Sequence, residues 1–149
     1  MSIVETNCIQ PDFEKGGGLV PVIVQEYNRR QGGTVLMLAY ANAQSHDLTL
    51  ETGFAHFWSR SRQEIWKKGN TSGNTLVVKQ VFVDCDQDTL LYLVTPKGPV
   101  CHLGRRDCFF DIIAHGIADI YLKKDRRKIR KKMRVLAQSI SNHIYKGRE

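Results

Sequence analysis

Short runs of apolar and β-branched residues alternate with polar, glycine-containing connections over the first two thirds of the chain. Runs of this length, bounded by Gly, Pro and Asn, are typical of β-strands. The pattern predicts five strands, at Leu19–Gln25, Thr34–Tyr40, Phe54–Ser59, Leu76–Val83 and Leu90–Val94. None of them approaches the roughly 18 consecutive apolar residues of a membrane-spanning helix, so no membrane span is expected.

Helical patterns occupy two other stretches. Ser45 is predicted to be the N-cap of a short helix that ends at Gly53. The polar stretch Arg60–Gly73 is predicted to be an ordered loop, and from Ile112 to Ile144 apolar residues recur with helical spacing. The sequence therefore predicts an α+β fold, with mainly antiparallel strands, a short helix and a C-terminal basic helical extension.

Positive charge is concentrated at the C-terminal end. Residues 1–118 carry 11 Lys/Arg and 12 Asp/Glu, whereas residues 119–149 carry 11 Lys/Arg and 3 Asp/Glu. We therefore divide the chain into a domain over 1–118 and a basic helical extension over 119–149, and attribute the net charge of +7 to the extension. No secretory signal is recognisable, so a cytoplasmic location with reduced thiols is expected.

Three carboxylates follow the fourth apolar run at alternate positions. In an extended segment, Asp84, Asp86 and Asp88 would share one face, and Cys85 would lie on the other. Mg²⁺ prefers such oxygen ligands and would relieve their repulsion, but one ion reaches all three only if the backbone curls or waters bridge. A calcium loop is disfavoured, because the required glycine and glutamate are missing. A solvated acidic turn between two strands is the remaining alternative.

Three cysteines have a spacing that fits a catalytic metal site better than a structural one. Cys85, Cys101 and Cys108 are 16 and then 7 residues apart, and no C-x-x-C pair is present. Three thiolates and a water would give the three protein ligands and open position of a catalytic zinc. His102 is a candidate acid/base group or additional ligand. For each cysteine taken alone, packing is the alternative, and Cys8 is assigned no role.

Aromatic rings, cations, hydroxyls and glycines occur together in two loops, Trp58–Arg62 and Trp66–Gly73. The short segment Gly104–Arg106 adds two more cations beside a glycine. Arginine forks, hydroxyls and backbone N–H groups near glycine bind phosphate, and an indole can stack on a purine. The alternative to a phosphate site is that Trp58 lies in the core and that the arginines and lysines lie on a solvated loop. The candidate substrate-binding residues are Trp58, Ser59, Arg60, Ser61, Arg62, Trp66, Lys68, Gly69, Thr71, Ser72, Gly73, Arg105 and Arg106.

Taken together, these motifs resemble the phosphoribosyl-AMP cyclohydrolase family of histidine biosynthesis. The matching stretches are Gly18–Gln25, Val35–Asn42, Thr49–Arg62, Ile65–Trp66, Lys68–Gly69, Thr71–Gly73, Val83–Asp88 and Cys101–Phe110. They occur in the family's order. The family often has Gly, Thr and Ser where this chain has Gln87, Leu103 and Asp107, none of which is a proposed ligand.

The resemblance implies hydrolysis of the N1–C6 bond of the adenine ring of phosphoribosyl-AMP by a zinc-activated water. The product would be the formimino-carboxamide ribotide. The implied metal ligands are Cys85, Cys101 and Cys108 for Zn²⁺, and Asp84, Asp86 and Asp88 for Mg²⁺. The resemblance also implies a homodimer whose zinc sites, near the interface, use cysteines of both chains. We favour His102 as the proton carrier, since histidine titrates near neutrality.

The basic extension is not a feature of the resemblance. Residues 111–149 are too few and too basic for the pyrophosphohydrolase domain of bifunctional versions. The alternative function is a basic nucleic-acid-binding module with a structural zinc site, supported by the nine cations between Lys123 and Arg134. Because the rest of the chain is nearly neutral and has no nucleic-acid motif, we treat the extension as an addition to an enzyme.

Two interpretations of the extension make opposite predictions for RNA. From Ile129 to Ile144 the apolar residues step by 4, 3, 4 and 4, which forms one stripe of a helix beside a basic face. A packed helix with a solvated basic face, which we favour, should give no RNA binding even at low salt. A weak polyanion contact would instead give binding that falls steeply with salt. Titration with RNA at two salt concentrations separates the two.

Overall fold

The first part of the chain is a small α+β domain. A computed structural model describes residues 9–28, 33–114, 130–131 and 133–134. Within these ranges the elements are β1 (Val20–Glu26), β2 (Val35–Ala41), α1 (Ala43–Thr52), β3 (His56–Ser59), β4 (Glu64–Lys67), β5 (Leu76–Val83) and β6 (Leu90–Pro96). The chain forms two compact units, Met1–Phe110 and Asp111–Glu149, and all these elements belong to the first.

Four of the strands form one sheet in the order β2-β1-β6-β5. The central strand β1 is antiparallel to β2 and parallel to β6, and β5 and β6 are antiparallel. The strands β3 and β4 form a separate two-stranded antiparallel sheet. The predicted α+β class with mainly antiparallel strands and a short helix is therefore confirmed.

The core lies on one face of the four-stranded sheet. Val20, Val22 and Val24 are completely buried, and the residues between them are partly exposed, as strand alternation requires. Phe57 of β3 is also completely buried, and its ring centroid lies 6.2 Å from that of Tyr92 in β6. Burial of each such side chain contributes about 1.5–3 kcal/mol, so this layer fixes the second sheet against the first.

The N-cap of α1 lies three residues before the predicted one. Asn42, not Ser45, is the N-cap, and its side-chain oxygen accepts the Ser45 backbone N–H at 2.9 Å. The Ser45 hydroxyl in turn accepts the Asn42 backbone N–H at 3.0 Å, which completes a capping box. The predicted end is confirmed: Gly53 is the C-cap, has φ 71° and donates its N–H to Thr49 at 3.0 Å.

The stretch Arg60–Gly73 is not simply a loop, as predicted, because it contains β4. Glu64–Lys67 pairs with β3, and Trp66 lies opposite Phe57 with the two ring centroids 5.2 Å apart. The preceding strand also starts later than predicted. Phe54 forms only an isolated bridge with Val77, and β3 begins at His56.

Residues 112–114 are described and are not helical, so the helix predicted over 112–144 does not begin at Ile112. The rest of that helix, and with it the basic extension 119–149, lies almost entirely outside the described residues. The exceptions beyond residue 114 are Arg130, Lys131, Met133 and Arg134, which are helical. The division at residue 118 stays a prediction. No helix in the described part of the chain is long and apolar enough to cross a membrane.

Two glycines of the turn after β4 provide a matched test of close backbone packing. Gly69 and Gly73 both have positive φ, but only at Gly69 would a Cβ overlap the Asn74 backbone. Gly73→Ala should lower the free energy of unfolding by about 1 kcal/mol, from the left-handed backbone alone. Gly69→Ala should lower it by about 3 kcal/mol, because the overlap adds to that term. Urea unfolding measures both, and equal losses would contradict the packing role.

Candidate functional site

The segment Asp84–Asp88, hereafter the acidic turn, is a turn and not the extended strand that alternation predicted. The strand β5 ends at Val83, the Asp84 N–H donates to the Thr89 carbonyl at 3.0 Å, and Gln87 has φ 66°. One oxygen from each of the three carboxylates nevertheless lies within 4.8 Å of the others. The curled backbone therefore brings together groups that a flat strand would hold about 6.6 Å apart.

Asp84 holds the acidic turn closed. Its Oδ1 accepts the backbone N–H groups of Asp88 and Thr89, each at 3.0 Å. The Thr89 hydroxyl donates to Asp88 Oδ1 at 3.2 Å. Gln87 adopts a left-handed conformation that suits glycine, which the resemblance expects at this position. The turn is therefore built by one of the predicted ligands itself.

A cation from the segment before β1, residues 9–19 and hereafter the N-terminal arm, contacts the acidic turn. Lys15 Nζ lies 2.8 Å from Asp86 Oδ2 and 3.3 Å from Asp88 Oδ2. Hydrogen bonding to Lys15 lowers the pKa of Asp86, and hydrogen bonding to Asp86 raises the pKa of Lys15. Sequence reasoning missed this contact, because the partners are about 70 positions apart and a lone lysine has no local signature.

Two of the three predicted zinc ligands lie together. Cys101 is buried, and the pKa of Cys108 is raised, first by partial burial of its thiol and then by the neighbouring Cys101 thiol. Gly104 closes the connecting loop with φ 75°, and its N–H donates to the Cys101 carbonyl at 3.0 Å. We call Cys101 and Cys108 the thiol pair.

Cys85 is not part of this arrangement within one chain. It lies exposed in the acidic turn. Among the residues that the structure describes, the one group of three metal-ligating side chains within 4.8 Å is the carboxylate triad, not the cysteines. One chain therefore supplies two neighbouring thiols, and the third cysteine lies apart from them in the acidic turn.

Lys68 is the predicted substrate-binding residue that lies by the thiol pair. Burial lowers its pKa, and the thiols of Cys108 and Cys101 act in the opposite direction. Its backbone N–H donates to Ala55 at 3.0 Å, which ties it to the base of β3. His102 is exposed in the loop between the two cysteines. An ammonium and an imidazole are thus available close to the thiols.

Six of the predicted substrate-binding residues line one cavity of about 450 Å³, hereafter the Trp58 pocket. Its lining comprises Met37, Leu38, Ala39, Tyr40, Trp58, Ser59, Arg60, Ser61, Arg62 and Trp66. The Arg60 guanidinium lies 3.8 Å from the centroid of the Tyr40 ring. The β2 residues were not predicted, because apolar strand positions carry no chemical signal. The pocket combines aromatic surface, hydroxyls and two guanidinium groups, as a nucleotide requires.

The remaining predicted substrate-binding residues do not line the Trp58 pocket. Thr71–Gly73 is an exposed turn. Arg105 lies 4.1 Å from the centroid of the Phe110 ring, and Arg106 is ion-paired with Glu26. These two arginines therefore already have partners within the domain.

A larger cavity of about 600 Å³ contains none of the predicted residues. It is bounded by the N-terminal arm, α1 and β5. Its buried titratable group, His46, lies 3.1 Å from the Tyr92 hydroxyl, and burial lowers its pKa. Lys79 is its one lysine. The smaller Trp58 pocket contains two arginines, of which Arg62 is ion-paired with Glu64 at 2.9 Å.

The chain is similar to known proteins that share one family name. A family model described as phosphoribosyl-AMP cyclohydrolase matches residues 37–110, which include all of the predicted site residues. A protein of that name from Cenarchaeum symbiosum is 59% identical over 106 residues, which are 71% of this chain and 95% of the relative. Relatives of the same name from Listeria innocua (56% identical, 68% of this chain, 92% of the relative) and Nitrosopumilus maritimus (54%, 66% and 88%) are also similar.

These matches first place the chain among hydrolytic enzymes. More narrowly, the chain belongs to the phosphoribosyl-AMP cyclohydrolase family. The matched region extends from β2 to the end of the thiol pair, so the acidic turn, the Trp58 pocket and the thiol pair all lie within it.

Asp84 closes the acidic turn, whereas Asp86 forms an ion pair with Lys15. The free energy of unfolding in magnesium-free buffer distinguishes these two roles. Asp84→Ala should lower the free energy of unfolding by about 1–2 kcal/mol, because two backbone N–H groups lose their acceptor. Asp86→Ala should leave it nearly unchanged, since the ion pair of Asp86 with Lys15 is exposed. Urea unfolding gives both values. Similar losses in the two variants would show that Asp84 does not hold the turn.

Proposed function

We propose that this chain hydrolyses the N1–C6 bond of the adenine ring of phosphoribosyl-AMP, in histidine biosynthesis. One water is consumed: its oxygen bonds to C6, which becomes the carboxamide carbon, the N1–C6 bond breaks, and N1 takes a proton. The observation that carries the proposal is the family match over residues 37–110, since that stretch holds all of the proposed metal ligands and substrate-binding residues. The product is the formimino-carboxamide ribotide.

Zn²⁺ fits the thiol pair by the chemistry of the donors. Burial of the Cys108 thiol, and after it the neighbouring Cys101 thiol, raise the pKa of Cys108, so two adjacent thiolates here call for a cation between them. Soft thiolates select thiophilic ions. When bound, Zn²⁺ with an open position supplies a water acidified to about pKa 7. The three thiols must stay reduced, in keeping with a cytoplasmic location.

The third thiolate is proposed to come from a second copy of the chain. Cys101 and Cys108 of one chain would be joined by Cys85 of the partner subunit, which makes the active form a homodimer with zinc sites near the interface. The separation of Cys85 from the thiol pair in one chain supports this arrangement. An isologous dimer repeats such a site twice.

The acidic turn is proposed to hold Mg²⁺ through Asp84, Asp86 and Asp88. The convergence of three carboxylate oxygens fits a hard divalent ion, which keeps several of its waters in such sites. Asp84 also closes the turn, so its role as a ligand would use the oxygen that does not accept the two backbone N–H groups.

The Trp58 pocket is proposed to bind the nucleotide. Trp58 and Trp66 would stack on the purine, and Arg60 and Arg62 would bind phosphate together with the hydroxyls of Ser59 and Ser61. Lys68, which lies by the thiol pair, and the adjoining glycine and hydroxyl turn would neutralise negative charge on the substrate. His102, exposed beside Cys101, is the proposed proton carrier to N1.

Mixed dimers test the activity and the shared zinc site together. Cys85→Ser and Cys108→Ser homodimers should each lose turnover of phosphoribosyl-AMP. Turnover is measured from the absorbance change that accompanies opening of the purine ring. A purified heterodimer of the two should recover about half of the wild-type activity and bind about one Zn²⁺, since one of its two sites keeps all three thiols.

The matched control pairs Cys101→Ser with Cys108→Ser, where both sites of the heterodimer are damaged and no recovery is expected. Wild-type protein supplied with zinc and magnesium that turns over no phosphoribosyl-AMP would refute the activity. Turnover by the wild type without recovery in the first heterodimer would refute only the sharing of the zinc site.

A further inference from the structure

Lys15 contacts two of the three carboxylates of the acidic turn. Besides its contacts with Asp86 Oδ2 and Asp88 Oδ2, its ammonium donates to the Asp86 backbone carbonyl at 2.9 Å. Three donor–acceptor contacts thus converge on one nitrogen. These are oxygen ligands of the kind that bind Mg²⁺, so an ammonium and a metal ion compete for the same atoms.

The arm that carries Lys15 is docked on the domain. The Asp12 N–H donates to the Gln87 carbonyl at 2.6 Å, and Asp12 Oδ1 accepts the Lys15 N–H at 3.1 Å. The Phe13 ring packs against the core, and its centroid lies 6.0 Å from that of His46. The backbone near Lys15 is therefore held against the domain, which positions the Lys15 side chain at the acidic turn. A surface lysine on an unattached segment would lack this positioning.

The negative charge of the three carboxylates explains why the acidic turn holds the Lys15 ammonium. Three carboxylates within 4.8 Å repel one another, and one ammonium compensates only part of that charge. A divalent ion compensates more of it, and would take the Asp86 and Asp88 oxygens that Lys15 contacts. The carboxylates cannot serve both cations at once, so binding of one weakens binding of the other by the same factor.

We propose that Lys15 is a tethered cation that holds the acidic turn until a divalent ion displaces it, which links occupancy of the metal site to release of the Lys15 side chain. The inference rests on the proposed Mg²⁺ site. Its consequence is that Lys15 reduces the affinity for divalent ions, and that the ions expose the Lys15 ammonium to solvent.

Metal titration of variants tests the first consequence. Mn²⁺ serves as the probe of the zinc-loaded, full-length protein, with binding measured by calorimetry. Lys15→Gln should bind Mn²⁺ about fivefold more tightly than the wild type, which is the range expected for removing an exposed pair of ionic contacts. Lys15→Arg, which keeps the charge, should stay within about twofold of the wild type. Asp86→Asn assigns the binding to the acidic turn by weakening it.

The matched control for charge is Lys79→Gln. Lys79 lies in β5, about 16 Å along the strand from Asp84, beyond the screening length of about 8 Å at physiological salt. It changes the net charge as Lys15→Gln does, but should leave the Mn²⁺ affinity unchanged. A matching gain in both variants would show a general charge effect and overturn the inference.

A second measurement uses the wild-type protein and depends on no variant. An amine-acylating reagent, with modification sites read by mass spectrometry, should label Lys15 several-fold faster in saturating Mg²⁺ than without it, whereas Lys79 should not change. The expected gain follows from loss of the contacts with Asp86 and Asp88 that shield the Lys15 ammonium.

The outcomes separate this inference from the proposed function. Tighter Mn²⁺ binding by Lys15→Gln together with Mg²⁺-dependent labelling supports the tethered cation. Mn²⁺ binding that Asp86→Asn weakens, but that Lys15→Gln leaves unchanged, overturns the inference and leaves the metal site standing. No divalent binding that depends on Asp86 in any variant overturns both the magnesium site and the inference.

Discussion

The antiparallel register between β5 and β6 is the constraint on which the acidic turn depends. Val83 pairs with Leu90, so six residues must reverse the chain across one strand spacing of about 4.8 Å. Asp84 closes the reversal by accepting two backbone N–H groups. The carboxylates therefore converge because the chain reverses over so few residues. The same register aligns the buried face of β6, which means that core packing and the shape of the turn are set together.

Strands and helices were predictable where burial leaves a pattern in the sequence. The strands β1 and β6 alternate between buried and partly exposed positions, and their apolar residues reveal this. The strand β4 could not be seen in this way, because only Ile65 and Trp66 are apolar and its pairing with β3 supplies the rest. The capping box explains why the N-cap of α1 was predicted at the wrong residue. Asn42 and Ser45 each accept the backbone N–H of the other, and both are residue types that are common at N-caps.

For the site, residue chemistry was predictable and the grouping of residues was not. The spacing of the three cysteines gives no indication of which two meet, whereas the loop closed at Gly104 brings Cys101 and Cys108 together. Convergence of the carboxylates was correctly expected to need a curled backbone, but the predicted extended segment was wrong. The contact of Lys15 with the acidic turn depends on the path of the whole arm, which no local pattern encodes.

The small second sheet explains how separate groups can serve one reaction. Trp66 lines the Trp58 pocket, and Lys68, two residues further, lies by the thiol pair. Both are positioned by β4, because Trp66 lies opposite Phe57 and the Lys68 N–H donates to Ala55. Phe57 is completely buried and packs near Tyr92 of β6, the strand that begins after the acidic turn. One core therefore sets the relative positions of the pocket, the thiols and the carboxylates. A loop in place of β4 would leave Lys68 without a fixed distance to either neighbour.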